Sequence, residues 1–169
     1  MKRGRTLRRL LAAVCFCALF CALFAGATQL LRNKDSAGAV RALYEEPRDS
    51  LDVVFVGSSH ILNGAFPLEL WHEYGIVSNN LGQHGQSIPI SYYMVQEAIR
   101  TQHPGCIVLD AYMLYYPDLI YEGDGNSHKS IDNMAWAGPK LRAIFDLFSW
   151  EDRWDYLVPL SFYHGRWKE

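Results

Sequence analysis

Residues 10–31 form an apolar run without a single charged side chain. At about 1.5 Å per residue, a helix of roughly 20 residues crosses a bilayer core of about 30 Å, so the run is long enough to span a membrane. Beyond residue 50 the apolar positions regroup into short strings separated by glycine, proline and polar residues. The string 52–56, Asp-Val-Val-Phe-Val, is rich in β-branched and aromatic residues and predicts a first strand buried on both faces of a parallel sheet. Pro67 opens a predicted short helix over 68–74, and Gly75 ends it. A second strand is predicted over 76–81, followed by a glycine-rich turn at 82–87. Ile90, Tyr93, Met94, Ala98 and Ile99 keep helical spacing up to the stop at Pro104 and Gly105, and a third strand follows over 106–111.

Strand, helix, strand, helix, strand in this order predicts an α/β fold of the flavodoxin-like kind, a parallel three-layer sheet with helices on both faces. After Met113 the pattern loosens into an aromatic and acidic stretch to Tyr121 and a polar loop over 122–129. Helices are predicted again over 139–148 and 150–158. The chain divides on this reading into a basic segment (1–9), a transmembrane signal anchor (10–31), a juxtamembrane stalk (32–50) and a partial α/β domain (51–169). There is no internal repeat.

Charge gives the anchor a direction. Lys2, Arg3, Arg5, Arg8 and Arg9 precede it, whereas Arg32 and Lys34 after it are mixed with Asp35. The positive-inside rule then places the N-terminus in the cytoplasm and the globular part outside, in a single-pass cell-membrane protein. A cleaved signal peptide is the competing reading, since Ala25, Gly26 and Ala27 are residues a signal peptidase accepts. A lipoprotein signal is disfavoured by the bulk of Phe20 before Cys21. The formal net charge is −2 and the basic residues beyond position 9 are interspersed with acids, which argues against nucleic acid as a partner. No feature sets an oligomeric state.

Three of the four cysteines, Cys15, Cys17 and Cys21, lie in the apolar run and read as small hydrophobes. Cys106 has no partner for an internal disulfide in the globular part, and its apolar string places it in the core. His72, His84, His103 and His164 have no neighbours at metal-ligand spacing, so no metal site is expected.

In open parallel sheets, ligands bind at the carboxyl ends of the strands. The turn after the first strand reads Gly57, Ser58, Ser59, His60, and the second strand ends in Asn80, Leu81, Gly82, Gln83. A serine here serves as a nucleophile if a base takes its proton and backbone N–H groups receive the oxyanion. The bland alternative makes these residues turn formers and helix caps. His60 adjoins the serines, but successive residues of a tight turn rarely point the same way, so a substrate-contact or capping role is expected for it. Tyr112, Tyr115, Tyr116 and Tyr121 read as packing against the next helix, with a sugar-binding groove as the other possibility.

The string Val-Phe-Val-Gly-Ser-Ser-His at 54–60, taken with Asn80 to Gln83, resembles the first two blocks of the SGNH/GDSL hydrolase superfamily. With the N-terminal anchor it is most similar to the extracytoplasmic branch containing DltD-like and alginate O-acetylation proteins. The resemblance implies Ser59 as the catalytic nucleophile and the N–H groups of Ser59 and Gly82 as an oxyanion hole. Ser58, His60 and Gln83 are implied as substrate contacts. It implies a serine esterase or O-acyltransferase working on acyl esters of a cell-surface glycopolymer, with no metal or organic cofactor.

The chain also departs from the family pattern. Ser58 stands where the family has aspartate, and Asp110, Ala111, Tyr112 stand where it has Gly-x-Asn. The Asp-x-x-His that supplies acid and base is absent, and Asp124 and His128 are a weak substitute. The last residues, 162–169, offer no closing strand or polar tail, which reads as an N-terminal fragment of a longer frame. The alternative function is an inactive or truncated membrane-anchored binding or accessory module.

Overall fold

The computed structural model describes residues 2–32, 37–116 and 125–168. They fall into two compact units, one made of residues 2–32 with 158–168 and the other of the remaining described residues up to Leu157.

In the first unit, helix α1 (Lys2–Leu31) contains a stretch, Thr6–Leu31, long and apolar enough to cross a membrane. Its cysteines are exposed, as are the other residues from Thr6 to Leu23. Near the chain's end, a short helix α9 (Leu160–Tyr163) and a 3-10 turn (His164–Lys168) pack against α1.

The second unit is an α/β fold, mostly helical, built on a three-stranded parallel sheet in the order β2-β1-β3. Strand β1 (Val53–Val56) lies in the centre, β2 (Ser78–Asn80) pairs with it from Val53↔Ser78, and β3 (Cys106–Leu109) from Val53↔Cys106. Helix α4 (Pro67–Tyr74) begins at the predicted proline and closes on Gly75, whose φ of 69° brings its N–H onto the carbonyls of Leu70 and Trp71. Helix α5 (Ile88–Gln102) buries Ile90, Tyr93, Met94 and Ala98 as its spacing predicts. Ile99 is the exception and stays exposed. Helices α7 (Gly138–Leu147) and α8 (Trp150–Leu157) start and stop within a residue of expectation.

Alternation along β1 separates the two faces of the sheet. Val54 and Val56 point into the core, against Leu81, Met94 and Ala98. That core also takes Val40 and Leu43 from helix α2 (Ala37–Glu45), in the stretch read from sequence as a stalk. The weak helical signal there is an amphipathic helix packed on α5 and β2. A polar tie secures it: the Tyr44 hydroxyl donates to the buried Glu97 (2.8 Å) and accepts the N–H of Ala135 (2.7 Å). Helix α6 (Gly125–Ile131) begins inside the predicted polar loop and buries Ser127, His128, Ser130 and Ile131.

The opposite face is covered far less. Helix α3 (Ser59–Gly64), which has no apolar period to announce it, and α4 bury no residue completely. Val108, which pairs with Phe55 on this face, is exposed; so are Leu109, at the strand's end on the core side, and Cys106, contrary to its expected place in the core. Strand β3 is an edge strand, and Ile107 alone among its four residues is partly covered. Tyr112, Tyr115 and Tyr116 are exposed as well, Tyr112 with its ring against His60 and Tyr116; Tyr121 lies outside the described residues.

Candidate functional site

Parallel register carries the ends of β1 and β3 to the same place. Val56 pairs with Leu109, so the next residues, Gly57 and Asp110, face each other across the sheet's carboxyl edge. A Cβ on Gly57 would lie 2.3 Å from that of Asp110, and its φ is +157°, so only glycine fits both the backbone and the approach. The chain then turns into α3 with Ser58 as the N-cap residue and Ser59 as the first helical residue.

Ser58 is 2% exposed. Its hydroxyl donates to Asp110 Oδ2 at 2.5 Å, and its backbone N–H donates to the same oxygen at 3.3 Å. His60 Nδ1 lies 3.2 Å from Ser58 Oγ and 3.6 Å from the Asp110 carboxylate. Since the single hydroxyl proton of Ser58 is committed to Asp110, the contact with His60 requires a proton on Nδ1. The neutral ring then carries its lone pair on Nε2. The imidazole side chain is 58% exposed and meets the Tyr112 ring edge-on, with centroids 4.3 Å apart. Burial acts to raise the Asp110 pKa, but the Ser58 hydroxyl, the N–H groups of Tyr112 and Ser58, and nearby His60 outweigh it and hold the carboxyl below the usual carboxylate range.

A groove of about 470 Å³ adjoins this cluster. His60 and Asp110 are among its walls, which otherwise include Phe55, Ile61, Phe66 and Val108. It lies over the thinly covered face of the sheet and is of a size that accommodates a small organic ligand.

The residues expected from the resemblance are placed unequally. Ser59 is half-buried, and its hydroxyl has no hydrogen-bond partner among the described residues. Gly82 is close by: a Cβ there would collide with Leu62 N at 2.4 Å. Its N–H, expected in an oxyanion hole, instead donates to Asn80 Oδ1 (2.8 Å), while the Asn80 amide donates to the carbonyls of Ile61 and Ala65 (2.9 Å each). Asn80 thus stitches the β2 turn to α3 and occupies the donor. Gln83 is 1% exposed and its N–H donates to Gly57 O (3.0 Å), which makes it a buried support. Ser58 is occupied in the same sense, leaving His60 as the member of the trio on an open surface.

Asp110 is the residue that sequence reasoning passed over, having noted it only as a departure from Gly-x-Asn. The strand register was the available signal, because a third parallel strand beside the first brings its next residue to the Gly57 turn. Asp124 lies outside the described residues. His128 is buried, with Nδ1 2.9 Å from Asp132 Oδ2 and its ring stacked on Tyr156 at 4.0 Å, which is a core role. No group of three or more potential ligands is placed to hold a metal among the described residues. No protein-family model, curated protein or solved structure matches this chain.

Proposed function

We propose that this chain is a membrane-anchored, SGNH-like serine esterase or O-acyltransferase acting on acyl esters of cell-envelope glycopolymers. Helix α1 would be its single span and the flavodoxin-like domain its extracytoplasmic part. The observation that carries the reading is the convergence of Ser58, His60 and Asp110 at the carboxyl edge of β1 and β3, next in sequence to Ser59 and beside a largely apolar groove that His60 and Asp110 line. Ser59 is the nucleophile in this reading, at the first turn of α3, where amide N–H groups favour developing negative charge. Ser59 and His60 are consecutive on the helix, about 100° apart around it, so His60 does not deprotonate Ser59 directly. Its exposed Nε2, the accepting nitrogen when the neutral ring carries its proton on Nδ1, suits proton exchange with water or the acceptor hydroxyl.

One observation favours a second reading, an accessory module that binds without catalysis. The Ser59 hydroxyl makes no hydrogen bond among the described residues, and the Gly82 N–H is engaged by Asn80. The two readings separate on labelling of the membrane-bound chain with a fluorophosphonate probe. Labelling that survives in Ser58→Ala and disappears in Ser59→Ala establishes an activated Ser59. Absence of labelling in folded wild-type chain removes the enzyme reading and leaves the binding module.

A further inference from the structure

We propose that residues 158–168 form an interfacial collar, a segment that clasps the far end of α1 and seats Trp167 in the headgroup layer of the bilayer. The inference rests on the reading of α1 as a membrane span and goes beyond it by assigning a lipid-facing role to a second, distant part of the chain. All α1 residues from Thr6 to Leu23 are exposed, whereas Phe24, Ala27, Thr28 and Leu31 are partly covered. Their spacing defines one face of the helix. The segments packed on α1 are α9 and the 3-10 turn that follows it, and Tyr163 is 3% exposed in that packing. Arg166 Nη1 reaches the carbonyl of Leu31 at 3.5 Å, one of the carbonyls that a helix end leaves without an intrahelical partner.

Depth follows from length. With Arg8 and Arg9 in one headgroup layer, a core of about 30 Å beginning at Leu10 is crossed in roughly 20 residues and ends near Gln29. The covered face from Phe24 to Leu31 therefore straddles the opposite boundary, and its outer end at Leu31, where Arg166 reaches, lies where tryptophan and tyrosine are favoured. The segment fits that zone chemically. Trp167 is 72% exposed, a large apolar ring with an N–H, and it is flanked by Arg166 and Lys168. The charges of the segment are Arg166 and Lys168, with Glu169 the one acid next to them, so the two cations beside Trp167 complement lipid phosphate.

The test uses the full chain with its four cysteines replaced by alanine, reconstituted in vesicles of phosphatidylcholine and phosphatidylglycerol. Nitroxide labels are placed singly through Val14→Cys in the middle of α1, Arg41→Cys on the exposed face of α2, and Gly165→Cys in the collar. Collision rates with oxygen and with a water-soluble nickel complex then report depth. The expected result is a core reading at 14, a water reading at 41 and an intermediate, headgroup reading at 165. Adding Arg166→Ser and Trp167→Ser should move 165 to the water value while 14 stays in the core. A water reading at 165 in the parent chain, a core reading there, or no shift in the double variant overturns the collar with the span intact. A water reading at 14 overturns the span itself.

Discussion

Asp110 shows how one side chain couples the candidate site to the stability of the fold. It accepts the Ser58 hydroxyl and the N–H groups of Ser58 and Tyr112, so its charge is held by three donors at a strand end. Because its folded-state pKa lies below the unfolded value of about 3.9, the stabilisation is fully present above that value and is lost as pH falls through the folded one. Replacement by asparagine keeps an acceptor for Ser58 but removes the charge, and should flatten this acid limb in urea titrations run from pH 6 to pH 2. Asp110→Ala strands the buried hydroxyl of Ser58 and should cost about 1–3 kcal/mol at neutral pH. An acid limb identical in wild type and Asp110→Asn would show that this carboxylate is not held as the hydrogen bonds require.

Among the elements, α2 departs furthest from its sequence-based expectation. It is short and carries mixed charge, and the signal that it belongs to the core consists of Val40 and Leu43 three apart, too little to read against the surrounding polar residues. Its tie is a tyrosine hydroxyl bridging Glu97 of α5 and the N–H of Ala135. Partners so distant along the chain are invisible in the sequence. Burial first, then Glu97 beside it, raise the Tyr44 pKa well above that of a free tyrosine, in keeping with a hydroxyl that stays protonated while donating to a carboxylate. Tyr44→Phe leaves the Ala135 N–H without its acceptor and Glu97 with Arg100 alone, and should destabilise the chain by about 1–3 kcal/mol in denaturant titrations. Hydrogen exchange would rise first in α2 and around Ala135. The elements with strong local signals were legible: β1 and β3 from their apolar strings, α4 from its proline start and glycine stop, and α5 from apolar spacing, whereas of the second strand expected over 76–81 only Ser78–Asn80 pairs. The candidate site was legible in part. Gly57 to His60 stood out in the turn after β1, while Asp110 emerged only once β3 was registered against β1, and Asn80's claim on Gly82 required the turns to be folded together.

Beyond single elements, the parallel sheet carries its core on one face and is only thinly covered, by α3 and α4, on the other. Val54 is fully buried, whereas Val108, in the strand beside it, is 39% exposed and lines the groove with Phe55. Parallel sheets ordinarily bury both faces, and an uncovered edge strand is open to pairing with other chains. The two faces can be weighed against each other with a matched pair of substitutions. Val54→Ala removes two methyl groups from a closed core and should cost about 1.5–3 kcal/mol; Val108→Ala removes them from a partly hydrated surface and should cost under about 1 kcal/mol. That asymmetry, measured by denaturation of the full chain over a range of protein concentrations, is what a bare groove requires. Equal costs at both positions would mean that the Val108 face is buried in the working protein. If equality appeared only as concentration rose, the covering layer would be a second copy of the chain.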